Sequence, residues 1–233
     1  MTKEAVKPVE QEAKKTELIQ IRSPNYKVVQ FTLVGTVPYV QHRFGSRPQE
    51  QMKATQEAGS QQKGKSRSKP PKDFAALYED AKHVSTEGWC GIPCAALRDA
   101  CISACRTVGY KMTHAKLALW AEADGFDRAD GSPLFKITKG EPEMFIVPAR
   151  NSDGSMDLRA RPKWAPGWEA VVRIKFDADM LTSTDVANLL MRAGQQVGIG
   201  EGRNDSRESA GLGWGSFEIK SGMVAALARG ARA

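Results

Sequence analysis

Hydrophobic and polar positions alternate most cleanly in two stretches of the chain. Between Lys27 and Val37, Val29, Phe31 and Leu33 alternate with Gln30 and Thr32, while Val28 and Val34 make the second face partly apolar. A period of two predicts a strand over 27–37, bent or ended by Gly35 and Pro38. In 169–176, Ala170, Val172, Ile174 and Phe176 face one way, and Glu169, Val171, Arg173 and Lys175 the other. That is the pattern of a strand in a sheet with one open face, and its two cations make that face an anion platform. "EMFIVPARN" (143–151) predicts a strand interrupted by Pro148, and "GWGSFEIK" (213–220) a last strand.

A period near 3.6 appears in three places. "DFAALYEDAKH" (73–83) predicts a short helix. A second opens at Pro93, a residue suited to a first helical position, and carries Leu97, Cys101, Ala104, Cys105 and Val108 on one face before Gly109 stops it. A third runs through "LTSTDVANLLMRAGQQVG", with Ser183 or Thr184 as cap, Asp185 in the first turn, and Val186, Leu189, Leu190, Ala193 and Val197 as the stripe. In 110–142, "HAKLALWAEADGF" reads as helical and "PLFKITKG" as a strand and turn; the whole is taken as an insertion.

The order strand, helix, strand, strand, helix, strand is ferredoxin-like. The expected fold class is therefore α+β, a βαββαβ core of the kind that carries RNA recognition motifs. It occupies one domain over 25–220, with insertions at about 45–90 and 110–142, a polar tail over 1–24 and another over 221–233. No RNP-type aromatic pair is recognisable on the central strands.

Charge changes this picture. Thirty-four Lys and Arg against 27 Asp and Glu give a formal +7, which points to a polyanionic partner, nucleic acid first. Seven of the cations crowd into "SRPQEQMKATQEAGSQQKGKSRSKPPK" (46–72), which holds two acidic residues and reads as a long basic insertion. Its Arg47, Lys63, Lys65, Arg67 and Lys69 are candidates for gripping a phosphate backbone. No apolar run approaches the roughly 18 residues of a membrane span, and "MTKEAVKPVEQEAKKTE" has no apolar signal core, so a cytoplasmic address is expected.

The most distinctive stretch is "VGIGEGRNDSRESAGLGWGSFEI" (197–219), with glycine at 198, 200, 202, 211, 213 and 215 and arginine at 203 and 207. It is no P-loop, because no Lys-Ser/Thr follows its last glycine and a strand comes next. It is no dinucleotide fingerprint either, because that needs strand, glycines, then helix. A backbone-rich turn edged by Arg203 and Arg207 remains, either a connector or a contact for RNA or a neighbouring copy.

Three patches together, "GTVPYVQHR" after the first strand, "GIPCAALRDAC" opening a helix, and "LLMRAGQQVGIGEGR…GLGWGSFEI", resemble the RAMP superfamily of CRISPR RNA-binding proteins. The likeness is greatest to the backbone subunits that polymerise along guide RNA, and a stand-alone phage or mobile-element relative fits it equally. The resemblance implies a modified RNA-recognition-motif fold, thumb-like and finger-like insertions, and a glycine-rich loop between the second helix and the last strand. It also implies single-stranded RNA or DNA and copies of the same chain as partners.

The remaining chemistry is sparse. Cys90, Cys94, Cys101 and Cys105 read C-x3-C-x6-C-x3-C, and thiols along one helix face cannot surround a tetrahedral ion, so packing is expected and no metal. Asp124, Asp127 and Asp130 lack the EF-hand spacing and read as a surface loop. Of His42, His83 and His114, His42 just after the first strand is the candidate for acid–base work, as in the RNA-processing branch of that superfamily. A second basic patch, Arg150, Arg159, Arg161 and Lys163 with Trp164, could fork onto phosphates and stack a base; Trp164 and Trp168 could equally close the core. The sequence thus predicts a non-catalytic single-strand binder without cofactors that multimerises along its ligand, with His42 and Arg43 among its contacts. An assembly protein on the same fold and a metal-independent endoribonuclease using His42 are the alternatives.

Overall fold

The computed structural model describes residues 22–57, 71–150, 154–205, 211–220 and 225–227. The first half of the chain forms β1 (Tyr26–Gly35), β2 (Tyr39–Val40), α1 (Ser46–Glu57), α2 (Phe74–Asp80), β3 (Gly91–Pro93), α3 (Cys94–Ala104), α4 (Met112–Ala118) and β4 (Leu119–Glu122). There follow β5 (Gly125–Phe126), β6 (Pro133–Lys139), β7 (Pro142–Arg150), β8 (Met156–Trp164), β9 (Glu169–Asp177), α5 (Ser183–Arg192), β10 (Phe217–Ile219) and β11 (Ala225–Leu227). No helix among the described residues is long and apolar enough to cross a membrane.

The result is a mixed α and β structure with two antiparallel sheets. The main sheet runs β10–β1–β9–β6–β3, with β11 also on β1, β4 on β9 and β5 on β6. The two alternating patterns sit at its centre, paired from Tyr26 opposite Asp177 to Val34 opposite Glu169. Their inner faces (Val29, Phe31 and Leu33; Ala170, Val172, Ile174 and Phe176) are buried in one apolar cluster with residues of α3 and α5. Along β9 burial alternates residue by residue, as the period of two requires.

Helix boundaries follow local chemistry. Asp73 caps α2 through the Ala76 amide. α3 starts after Pro93, buries Leu97, Cys101 and Ala104, and passes through a 3-10 turn (Cys105–Val108) to Gly109, whose φ of 68° ends it. The cap of α5 lies one residue earlier than expected. Thr182 accepts from the Asp185 amide, and the Asp185 carboxylate accepts from the Thr182 amide at 2.8 Å, a reciprocal capping box.

Five expectations need correction. Pro142–Arg150 is not a strand of the main sheet; it pairs along its whole length with β8 in a separate sheet, β2–β8–β7. As an edge strand it tolerates Pro148, which a central strand would not. The main-sheet place falls to β6, inside the stretch taken as an insertion, and "HAKLALWAEADGF" splits into α4 and the strand β4. Ser46–Glu57, expected as unstructured insertion, is helical, and Ala225–Leu227, expected as tail, pairs with β1.

An aromatic wedge joins the sheets. Tyr39 lies 5.4 Å from Trp164 and 5.5 Å from Trp168, ring centre to ring centre, and Trp168 meets Phe217 at 6.4 Å. All four are fully buried, and the Trp168 indole donates to the Val37 carbonyl at 3.2 Å. The choice left open for the tryptophans falls to packing: a Trp164 ring with no exposed surface cannot stack a base.

Candidate functional site

The described parts of the glycine-rich segment, 197–205 and 211–219, form a ribbon laid against β2. Gly198, Gly200 and Gly202 have φ of 76–78°, and Gly211, Gly213 and Gly215 have φ of 65–74°, a region that side chains rarely occupy. Four of these positions, Gly198, Gly200, Gly202 and Gly215, also lack room. A Cβ on Gly200 would come within 2.4 Å of the Val40 carbonyl oxygen, and one on Gly215 within 1.7 Å of that of Ile199. Backbone hydrogen bonds explain the crowding. Glu201 N–H donates to Val40, Gly215 N–H to Pro38 and Ile199 N–H to Gly215, all at 2.7–3.1 Å. A turn of π-helix (Ala193–Val197) feeds the ribbon from α5, and an ion pair between Arg106 and Asp205 ties its far end to the end of α3.

The ribbon forms one wall of a cleft of about 770 Å³. Ala96, Asp99, Ala100 and Ser103 of α3, Val147 and Pro148 of β7, Arg159 of β8, and Gln41, His42 and His83 supply the rest, with Leu212 and Trp214 from the second glycine run. Its lining mixes apolar and polar side chains in nearly equal measure, and its volume falls in the range of small-molecule sites.

The expected site residues distribute unevenly around it. His42, Arg159 and Arg203 line the cleft. The Arg203 guanidinium donates to the carbonyls of Gly200 and Asp205 at 3.0 and 3.1 Å. Arg161 lies behind the wall, buried, its Nε 2.7 Å from the Glu201 carboxylate. Glu201 also approaches His42 Nδ1 at 4.0 Å. Burial, and then the nearby Arg161, lower the His42 pKa against the pull of Glu201, which keeps the imidazole neutral around pH 7. Lys163 shares the β8 face with Arg159 and sits 4.5 Å over the Phe145 ring, which in turn packs edge-on against Trp214.

Others lie elsewhere. Arg43 is engaged with Asp80, through Nη2 at 2.6 Å to the carboxylate and Nε at 2.9 Å to the carbonyl, and so fastens α2. Arg173 and Lys175 stand on the main-sheet face turned away from α3 and α5, and Arg173 is 2.7 Å from Asp124. Lys175 lies 4.4 Å over Tyr26 and 5.5 Å over Trp120, rings that meet edge to face at 5.0 Å. That face therefore carries an aromatic pair that the sequence reading did not find, because one ring comes from a strand read as helix. Arg47 falls in α1 and Arg150 ends β7, with only their backbone described; Lys63, Lys65, Arg67, Lys69 and Arg207 lie outside the described residues.

The cysteines are packing residues. Cys94, Cys101 and Cys105 are buried and Cys90 half-buried, all as free thiols. Burial pushes Cys94 and Cys101 up to about 12, so both stay protonated at neutral pH.

Sequence reasoning missed Trp214, Gln41 and His83 as cleft residues. Trp214 had a visible signal, an aromatic held between two glycines. The β8 strand did too: Leu158, Ala160, Pro162 and Trp164 alternate with Arg159, Arg161 and Lys163. His83 and Gln41 had none, since they reach the cleft from a loop and from the end of β2. The chain matches no protein-family model and no curated protein sequence.

Proposed function

We propose that the cleft binds a single strand of nucleic acid, RNA first, and that copies of the chain line up along it. The observation that carries this reading is the convergence of Arg159, Arg203, His42 and Trp214 on a wall made largely of glycine backbone. Arginines fork onto phosphates, exposed amides and carbonyls contact sugar and base edges, and an indole offers a stacking face to any base. Of the cleft's three carboxylates, Asp99, Glu201 and Asp205, the last two are paired with Arg161 and Arg106 and so oppose a phosphate weakly. The formal +7 and the likeness to RNA-binding backbone subunits support the same conclusion.

The core is best read as ferredoxin-like. Strands β10, β1, β9 and β6 lie in that spatial order and neighbours are antiparallel, with α3 between β1 and β6 in sequence and α5 between β9 and β10. On this reading the β7–β8 hairpin and α1–α2 are elaborations that build the cleft beside the core.

Titration of a labelled 20-nucleotide RNA, its DNA counterpart and a duplex of the same sequence tests the binding. The expected outcome is single strands bound over the duplex, with affinity falling steeply between roughly 50 and 200 mM salt. No binding at any salt in that range overturns this reading and leaves self-assembly as the function of the fold.

A further inference from the structure

The three carboxylates of the cleft differ in what surrounds them. Glu201 is paired with Arg161, and Asp205 with Arg106. Asp99 has neither an ion pair nor a hydrogen-bond partner among the described residues. It stands mid-way along α3, where Ala96, Asp99, Ala100 and Ser103 follow at helical spacing on the face that lines the cleft. The adjoining face, Leu97, Cys101 and Ala104, is buried in the core, which fixes the rotation of the helix and keeps Asp99 at the cleft. Ala96 and Ala100 beside it are too short to screen its carboxylate. Trp214, in the same lining, is held in place: Phe145 meets it edge-on at 5.7 Å, and a Cβ on Gly202 would come within 2.6 Å of its Cε3. Two further lining residues are fixed by buried partners. His83 Nδ1 lies 2.8 Å from the Asp127 carboxylate, and the Gln41 side chain donates to the Gly91 carbonyl at 2.6 Å. A cleft with so little freedom is preorganised to discriminate between bases.

We infer that the cleft selects guanine, with Asp99 reading the Watson–Crick edge of the base. The inference rests on the reading that single-stranded nucleic acid occupies the cleft. An ionised carboxylate only accepts hydrogen bonds, through two oxygens side by side. Guanine offers two adjacent donors, N1–H and the 2-amino group, and so matches both oxygens when its edge is exposed in a single strand. Adenine and cytosine each offer one amino group beside a ring-nitrogen acceptor, and uracil offers N3–H between two carbonyls. In all three an acceptor faces the second carboxylate oxygen and repels it. Asp99 therefore works against every ligand except one that brings two donors, and this repulsive element is what gives an unpaired carboxylate its selectivity. Arg159 and Arg203 are left for the phosphates, and the Trp214 indole for the face of the ring.

Oligouridylates carrying one central guanine, hypoxanthine, adenine or cytosine, titrated with the full-length protein, test this. The guanine oligomer is expected to bind about 10-fold or more tighter than the adenine and cytosine oligomers. Hypoxanthine, which keeps N1–H and lacks the 2-amino group, falls between them, an arm that needs no protein variant. The amide of Asp99→Asn presents one acceptor and one donor, and brings the guanine and adenine oligomers within about twofold of each other. Its affinity for plain oligouridylate changes by less than about threefold. Wild-type protein that binds all four oligomers equally, or Asp99→Asn protein that keeps the guanine preference, overturns the inference and leaves the binding reading intact. So does a variant that tightens binding of every oligomer by the same factor, since the carboxylate then acts on phosphate alone. Failure to bind any of the oligomers overturns both.

Discussion

Gly215→Ala is expected to lose about 3 kcal/mol of stability, a sizeable share of the roughly 5–15 kcal/mol that holds a domain folded. Two penalties combine at that position. A residue with a Cβ at φ 71° pays about 1–2 kcal/mol for the left-handed conformation. The new methyl would also sit 1.7 Å from the Ile199 carbonyl oxygen, which must then move. That oxygen belongs to backbone, and Ile199 is itself bonded to the Gly215 carbonyl, so relief requires the two ribbon segments to separate. Gly211→Ala is the control. Its φ of 65° carries the conformational penalty, but no atom of the described residues lies within 4 Å of its Cβ position, and a loss of only about 1 kcal/mol is expected. Urea unfolding of the two variants reads the difference directly. Equal stabilities contradict the close-packed ribbon.

Arg159→Glu is expected to weaken single-stranded RNA binding on the order of 100-fold near 100 mM salt. The substitution removes a cation from the cleft wall and replaces it with a carboxylate facing the phosphates. Arg159 suits the test better than Arg161, which is buried against Glu201 and whose loss would leave that carboxylate without its partner. The matched control is Lys175→Glu on the far face of the main sheet, expected to change affinity by less than about threefold. If the control weakens binding and Arg159→Glu does not, the strand runs across the open face of the sheet, over Tyr26 and Trp120.

The two prediction pairs rest on different kinds of legibility. β1, β9, α3 and α5 could be read from periodicity because each buries one face against the same core, and burial is what writes a period into a sequence. β7 was visible as a strand but not as a member of the smaller sheet, since pairing partners leave no local mark. β4 and β6 were obscured for a related reason. "LALWAE" has helix-favouring residues, yet its partner β9 draws Leu119–Glu122 into a strand, a tertiary effect that overrides propensity. Among site residues, the arginines of β8 and the ribbon were visible as types, but whether each is spent on an internal partner depends on three-dimensional neighbours. Arg43 and Arg161 are paired with Asp80 and Glu201, while Arg159 and Arg203, which also have partners within the chain, line the cleft. The Asp127–His83 pair could not be seen at all, because its members lie 44 residues apart in two unremarkable loops.

The location of the strand is settled most directly by photo-crosslinking RNA carrying 4-thiouridine at every uridine to the full-length protein, then identifying the linked peptides. The cleft reading predicts adducts in three separate segments: around His42, in Val147–Arg159, and in Gly198–Trp214. Adducts confined to Tyr26–Val34 and Val171–Lys175, or none with RNA demonstrably bound elsewhere, would contradict it.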